Sequence, residues 1–199
     1  KGFWADMSET PRTYETGNGR PITCDLTDLG ADERAVAKMA LNAWAQVSGL
    51  RFDTTSTAGS AAQIRFTNDD QAGAYCVADA LVGNTVARST VNIPLYWRDQ
   101  PGEGFASYFY HTYIHEIGHA LGLMHSQHGR ALMHLNATLR GWKALSQDEL
   151  WGLHRLYGES LCRAGGRGPG GPEPGRAPHA PDRMPRQAVR VRVLGAEGL

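Results

Sequence analysis

His115 and His119 stand four residues apart with Glu116 directly after the first, and Gly122 and His125 follow at successive three-residue steps. This spacing restricts the fold more than any other feature, because it requires a helix that stops at a set place. Residues four apart on a helix share one face, so both imidazoles can grip a single metal ion. Gly122 is able to take a left-handed conformation, which ends the helix abruptly and lets the chain turn back to offer His125 as a third ligand. Three neutral nitrogens leave one position of a tetrahedral zinc ion open to water, as expected of a catalytic rather than a structural ion. Zinc lowers the pKa of that water, and Glu116 is placed to accept its proton and pass it to a leaving amine. Peptide hydrolysis with one zinc ion as cofactor is the natural reaction of such a site.

Composition bounds what surrounds the motif. Of 199 residues 41% are hydrophobic and 20% charged, enough for one core and too little for two. The last 37 residues hold eight Gly, six Pro and seven Arg against three acidic residues. Such a segment cannot offset the entropy of ordering it, so residues 1–162 are expected to form the catalytic domain and 163–199 a disordered tail. Twenty basic residues balance twenty acidic ones, which gives no electrostatic case for nucleic acid or an anionic membrane. The apolar runs are far shorter than the roughly 20 residues needed to cross a bilayer, and the charged-then-apolar pattern of an export leader is not expected in the folded domain. A soluble monomer is expected.

Apolar residues at three- and four-residue spacing predict a helix over 31–48, ended by Gly49, and Ser146 with Glu149 form a capping box that starts a terminal helix. Short β-type runs at 22–26, 50–54, 63–67 and 91–97 predict strands. The fold class is therefore α+β: a twisted mixed sheet with a long backing helix, an active-site helix and a C-terminal helix. Residues 68–90 read as a long loop whose Asp69, Asp70, Asp79 and Asn84 are hard oxygen donors, so calcium is possible, although a twelve-residue calcium-loop spacing is lacking. Cys24, Cys76 and Cys162 are compatible with one disulfide and a spare thiol, with no pairing deducible. His111, His154 and His179 read as ordinary core or surface residues, whereas His128 and His134 lie near enough in sequence to visit the site.

The segment HEIGHALGLMH, with Met133 eight residues beyond its last histidine, resembles the extended zinc signature and methionine turn of the metzincin endopeptidases. The stretch from His125 to ALM, Ser126 and the closing LSQDELWGLHRLYG are similar to the matrixin catalytic domain. The approach GFASYFYHTYIHEIGHALGL and the GAY at 73–75 are similar to serralysins. The resemblance implies that His115, His119 and His125 bind zinc, Glu116 is the general base, Gly122 makes the turn and Met133 forms the floor beneath the metal. It further implies that an edge strand at 91–97, with Val91, Asn92 and Ile93, receives an extended protein or peptide substrate, and that His134 and Leu135 help line the pocket after the scissile bond. Secretion to the extracellular space is implied in the same way.

The chain also departs from the family pattern. Leu135 stands where serralysins and astacins carry a tyrosine, and the histidines of a matrixin structural zinc site are missing upstream of His111, so one zinc ion is expected. Two other readings share the same metal chemistry: a zinc hydrolase acting on a non-protein amide or ester, and a catalytically silent zinc-binding module.

Overall fold

The structure, a computed structural model, describes residues 12–54, 61–83, 85–99, 107–126, 131–134 and 145–164. Helix α1 spans Ala31–Ser48, the predicted range, because its apolar residues keep a helical period and Gly49 supplies a left-handed stop at φ 72°. Its buried face runs through Ala37, Ala40, Leu41 and Trp44. Val36, Ala43 and Val47 flank that face, partly buried against the same core.

Five strands form one mixed sheet: β1 (Ile22–Asp25), β2 (Phe52–Asp53), β3 (Ile64–Thr67), β4 (Tyr75–Val82) and β5 (Thr85–Asn92), in the order β2-β1-β3-β5-β4. All neighbours are parallel except β4 and β5, which form an antiparallel hairpin closed at Gly83, where φ is 60°. The hairpin replaces most of the expected 68–90 loop. Its alternation was hidden by Ala, Asp and Thr, which carry little hydrophobic signal in a half-exposed strand.

The sheet order also corrects the placement of the edge. Val91 and Asn92 end β5, which is bonded to β3 on one side and β4 on the other, and Leu95–Asp99 form a 3-10 turn after Pro94. The edge on this side of the sheet is β4, not residues 91–97.

Helix α2 spans Tyr108–Ala120 and α3 spans Gln147–Ala164. Ile22, Cys24, Ile64, Phe66 and Val91 from the sheet share one core with Trp44 of α1, Tyr113 and Ile117 of α2, and Leu153 and Tyr157 of α3. The Trp44 indole donates to the Ile114 carbonyl at 3.0 Å, which fixes the backing helix to the middle of α2. The fold is therefore α+β. No helix among the described residues is long and apolar enough to cross a membrane. Cys24 and Cys76 are free thiols on β1 and β4, with two strands between them. Beyond Ala164 the expected tail lies outside the described residues, as do Asn84, His128 and Leu135.

Candidate metal centre

Helix α2 starts at Ser107, whose side chain accepts the Tyr110 N–H at 3.1 Å, and it ends where the spacing predicts. Gly122 has φ 90°, its N–H donates to His119 O at 2.9 Å, and Leu123 N–H reaches back to Gly118 O at 3.0 Å. These paired bonds form a Schellman stop. A Cβ on Gly122 would also lie 2.3 Å from the Arg12 carbonyl oxygen, so glycine is required by space as well as by conformation.

Past this stop the chain brings His125 back to the helix. The Nε2 atom of His119 lies 3.1 Å from Nε2 of His115 and 3.1 Å from Nε2 of His125. These three form the metal-capable group found among the described residues. The opposite nitrogens explain the orientation: His115 Nδ1–H donates to Leu132 O at 2.7 Å and His119 Nδ1–H to Leu123 O at 2.8 Å. Because a neutral imidazole carries one proton, these bonds leave both Nε2 lone pairs bare and facing each other. Bare nitrogens at this separation repel unless a cation lies among them. Tetrahedral ligands at zinc-to-nitrogen distances of about 2.0–2.1 Å would stand roughly 3.3 Å apart, close to the spacing seen. The donor set therefore fits zinc.

The electrostatics agree with neutral ligands. Burial holds the His119 pKa down to about 3, assisted by neighbouring His115 and opposed by the bond to Leu123 O. His115 and His125 are lowered too, chiefly by burial, and His134 adds to both shifts. Glu116, 8% exposed between the two helical ligands, is raised to about 7 by burial.

Met133 is fully buried, and it packs against α2 at a glycine whose role the spacing rules had not indicated. A Cβ on Gly118 would lie 2.4 Å from Met133 Sδ and 3.1 Å from Trp44 Cζ2. The clue in the sequence is the glycine itself, which costs about 1 kcal/mol in a helix interior and so calls for a packing reason. The methionine turn is pinned on its other side: Ser126 N–H donates to Met133 O at 2.7 Å, and Met133 N–H donates to Glu149 Oε1 at 2.9 Å. Glu149 also accepts the Ser146 N–H, the predicted reciprocal cap, while Ser146 Oγ has no partner among the described residues.

Of the five residues expected to meet substrate, three have no surface to offer it. Val91, Asn92 and Ile93 are fully buried. His134 is half-buried beside the triad, and Leu135 lies outside the described residues. Of the possible calcium donors, Asp70 accepts the Leu95 N–H, Asp69 the Gln71 N–H, and Asp79 the Thr90 hydroxyl and an ion pair with Arg88.

Residues 21–158 match the matrixin family of peptidases. The chain belongs to that family. Matrix metalloproteinase-23 of Homo sapiens is 94% identical over 48 residues, which make up 24% of this chain and 12% of that relative. Interstitial collagenase of Sus scrofa is 32% identical over 168 residues, 76% of this chain and 32% of that relative. The Bos taurus collagenase is 31% identical over 190 residues, covering 87% and 36% respectively. This matrixin chain thus spans between about an eighth and about a third of the relatives it matches.

Proposed function

We propose that this matrixin domain is a zinc-dependent endopeptidase in which His115, His119 and His125 hold the metal and Glu116 is the general base. The convergence of three imidazole Nε2 atoms on one point, two of them held bare by their Nδ1–H bonds, carries the reading. Zinc held there supplies Lewis acidity towards water and the scissile carbonyl.

The chain's own residues account for the rest. Glu116, with a pKa near neutrality, can take a proton from the attacking water and release it to the leaving amine. The backbone bonds from His115 and His119 fix their ligand tautomer before any metal arrives, which lowers the reorganisation that binding requires. Strand β4 has one side bonded to β5, and no described strand pairs with its other side, so an extended peptide can add there as a further strand. This edge favours a protein substrate over a small amide or ester. His134, whose field reaches His115 and His125, is assigned to the substrate side of the site. An extracellular place of action, expected from the family resemblance, belongs to the same reading.

The test is elemental analysis combined with cleavage of an unstructured protein such as casein. Glu116→Ala is expected to keep about one zinc per chain while losing several orders of magnitude in cleavage rate, and His119→Ala to lose the zinc. Unchanged cleavage by Glu116→Ala would reject the role assigned to that carboxylate.

A further inference from the structure

Asn92 satisfies every hydrogen-bonding site of its side chain inside the protein. Its Oδ1 accepts from Thr67 Oγ1 at 2.8 Å and from the Asp69 N–H at 2.8 Å. Its Nδ2 donates to Asp69 O at 3.1 Å and to Gly73 O at 3.0 Å. A carboxamide offers two donors and two acceptor lone pairs, so nothing remains for substrate. The residue is fully buried, which makes each of these bonds costly to lose.

The partners share one destination. Thr67 ends β3, Asp69 and Gly73 belong to the connection that leads into β4, and the first residue of β4, Tyr75, pairs with Asn92 across the ladder. Backbone and side chain of one residue thus hold both ends of the 68–74 segment and the start of the edge strand. Further along, the β4–β5 ladder is irregular, with register shifts between Ala78 and Ala80 and between Ala80 and Leu81. Pairing alone therefore specifies the strand less strictly there than in a regular hairpin.

The anchored strand also lies against the helix of the site. β4 packs on α2, which carries His115, Glu116 and His119, and Cys76, the second residue of β4, is partly buried against the core that Tyr113 and Ile117 of α2 help to form.

We infer that Asn92 is a positioning residue: by tying Thr67, Asp69 and Gly73 together it sets the position of the β4 edge on which an extended substrate pairs. The inference rests on the proposed endopeptidase reading. Asn92→Asp keeps the shape but replaces the Nδ2 group, with its two N–H donors, by one oxygen that faces the Asp69 and Gly73 carbonyls. Thr67→Val removes only the hydroxyl that orients the amide and is the milder change.

The zinc-loaded 199-residue chain would be assayed on a long fluorogenic peptide and on a short peptide that spans only the residues flanking the scissile bond. Asn92→Asp is expected to raise KM for the long peptide about tenfold, with kcat, zinc content and short-peptide kinetics within twofold of wild type. Thr67→Val is expected to raise the long-peptide KM two- to threefold, and it decides the matter if Asn92→Asp does not fold. An unchanged long-peptide KM in the folded variants overturns the inference, as does an equal loss on both peptides, which would mark a merely structural role. Wild type that cleaves neither peptide, with zinc bound, would instead count against the endopeptidase reading.

Discussion

Glu149 accepts the backbone N–H of Met133 at 2.9 Å from inside the core, although the two residues belong to different parts of the chain. The same carboxylate caps the start of α3 at Ser146. One side chain therefore ties the terminal helix to the turn that supports the metal centre. Replacing it with alanine leaves two N–H groups without their acceptor, at about 1–3 kcal/mol for each buried one. Glu149→Ala is expected to lower unfolding free energy by about 3 kcal/mol in urea and to weaken zinc binding, while Glu149→Gln loses less because it keeps one carbonyl acceptor. Wild-type stability in the alanine variant would show that the bonds contribute nothing net.

Gly118→Ala sets two effects against each other. A helical alanine gains about 1 kcal/mol over glycine. Overpacking Met133 and Trp44 costs about 1–3 kcal/mol, and a Cβ 2.4 Å from Met133 Sδ puts this site towards the upper end. A net loss of about 1–2 kcal/mol is expected, and a smaller loss in the Met133→Ala background, where space has been opened. Chemical denaturation of the four proteins in that cycle reads the coupling directly.

Gly122→Ala meets a harder obstacle, since the atom in its way is the Arg12 backbone oxygen at 2.3 Å and φ is 90°. A flexible side chain can move aside and a backbone carbonyl cannot. The expected loss exceeds about 2 kcal/mol, with zinc affinity falling at least tenfold because His125 hangs on this turn. Competition titration with a chromogenic chelator measures the affinity.

The metal-stripped protein should show opposed pH dependences. Unfolded histidine takes a proton near pH 6.5 and folded His119 only near 3, so between those values the unfolded state binds more protons and stability falls on acidification. His115 and His125 act in the same direction. Glu116 acts oppositely: its folded pKa near 7 exceeds the ordinary 4.5, so it favours the folded state on acidification through that interval. Melting temperature is expected to fall gently from pH 6.5 to about 4.5 and more steeply below it. Glu116→Gln, which lacks the opposing group, should steepen the upper interval; an unchanged slope there would contradict the raised pKa.

Much of the site was legible because ligand spacing on a helix is a local rule. His115, His119, Gly122 and His125 each follow from helix period and glycine conformation, and the capping pattern at Ser146 and Glu149 located α3. Strand order is not local. Which strand lies at the edge depends on how β3, β4 and β5 pair, so Val91, Asn92 and Ile93 were placed at an edge that belongs to β4. The β4–β5 hairpin is hard to read in the sequence because the outward residues of β4 mix Tyr75, Val77 and Leu81 with Asp79, which blurs the alternation. Gly118 carries no local signal for its role, because its contact, Met133, lies fifteen residues further along the chain.

Tyr157 donates to the Leu121 carbonyl at 3.2 Å, just before the turn at Gly122, from the same helix that carries Glu149. The outer helix thus braces both the end of α2 and the methionine turn, though it contributes none of the three ligands. Loss of this one helix would remove both braces at once while leaving every metal-binding side chain chemically intact.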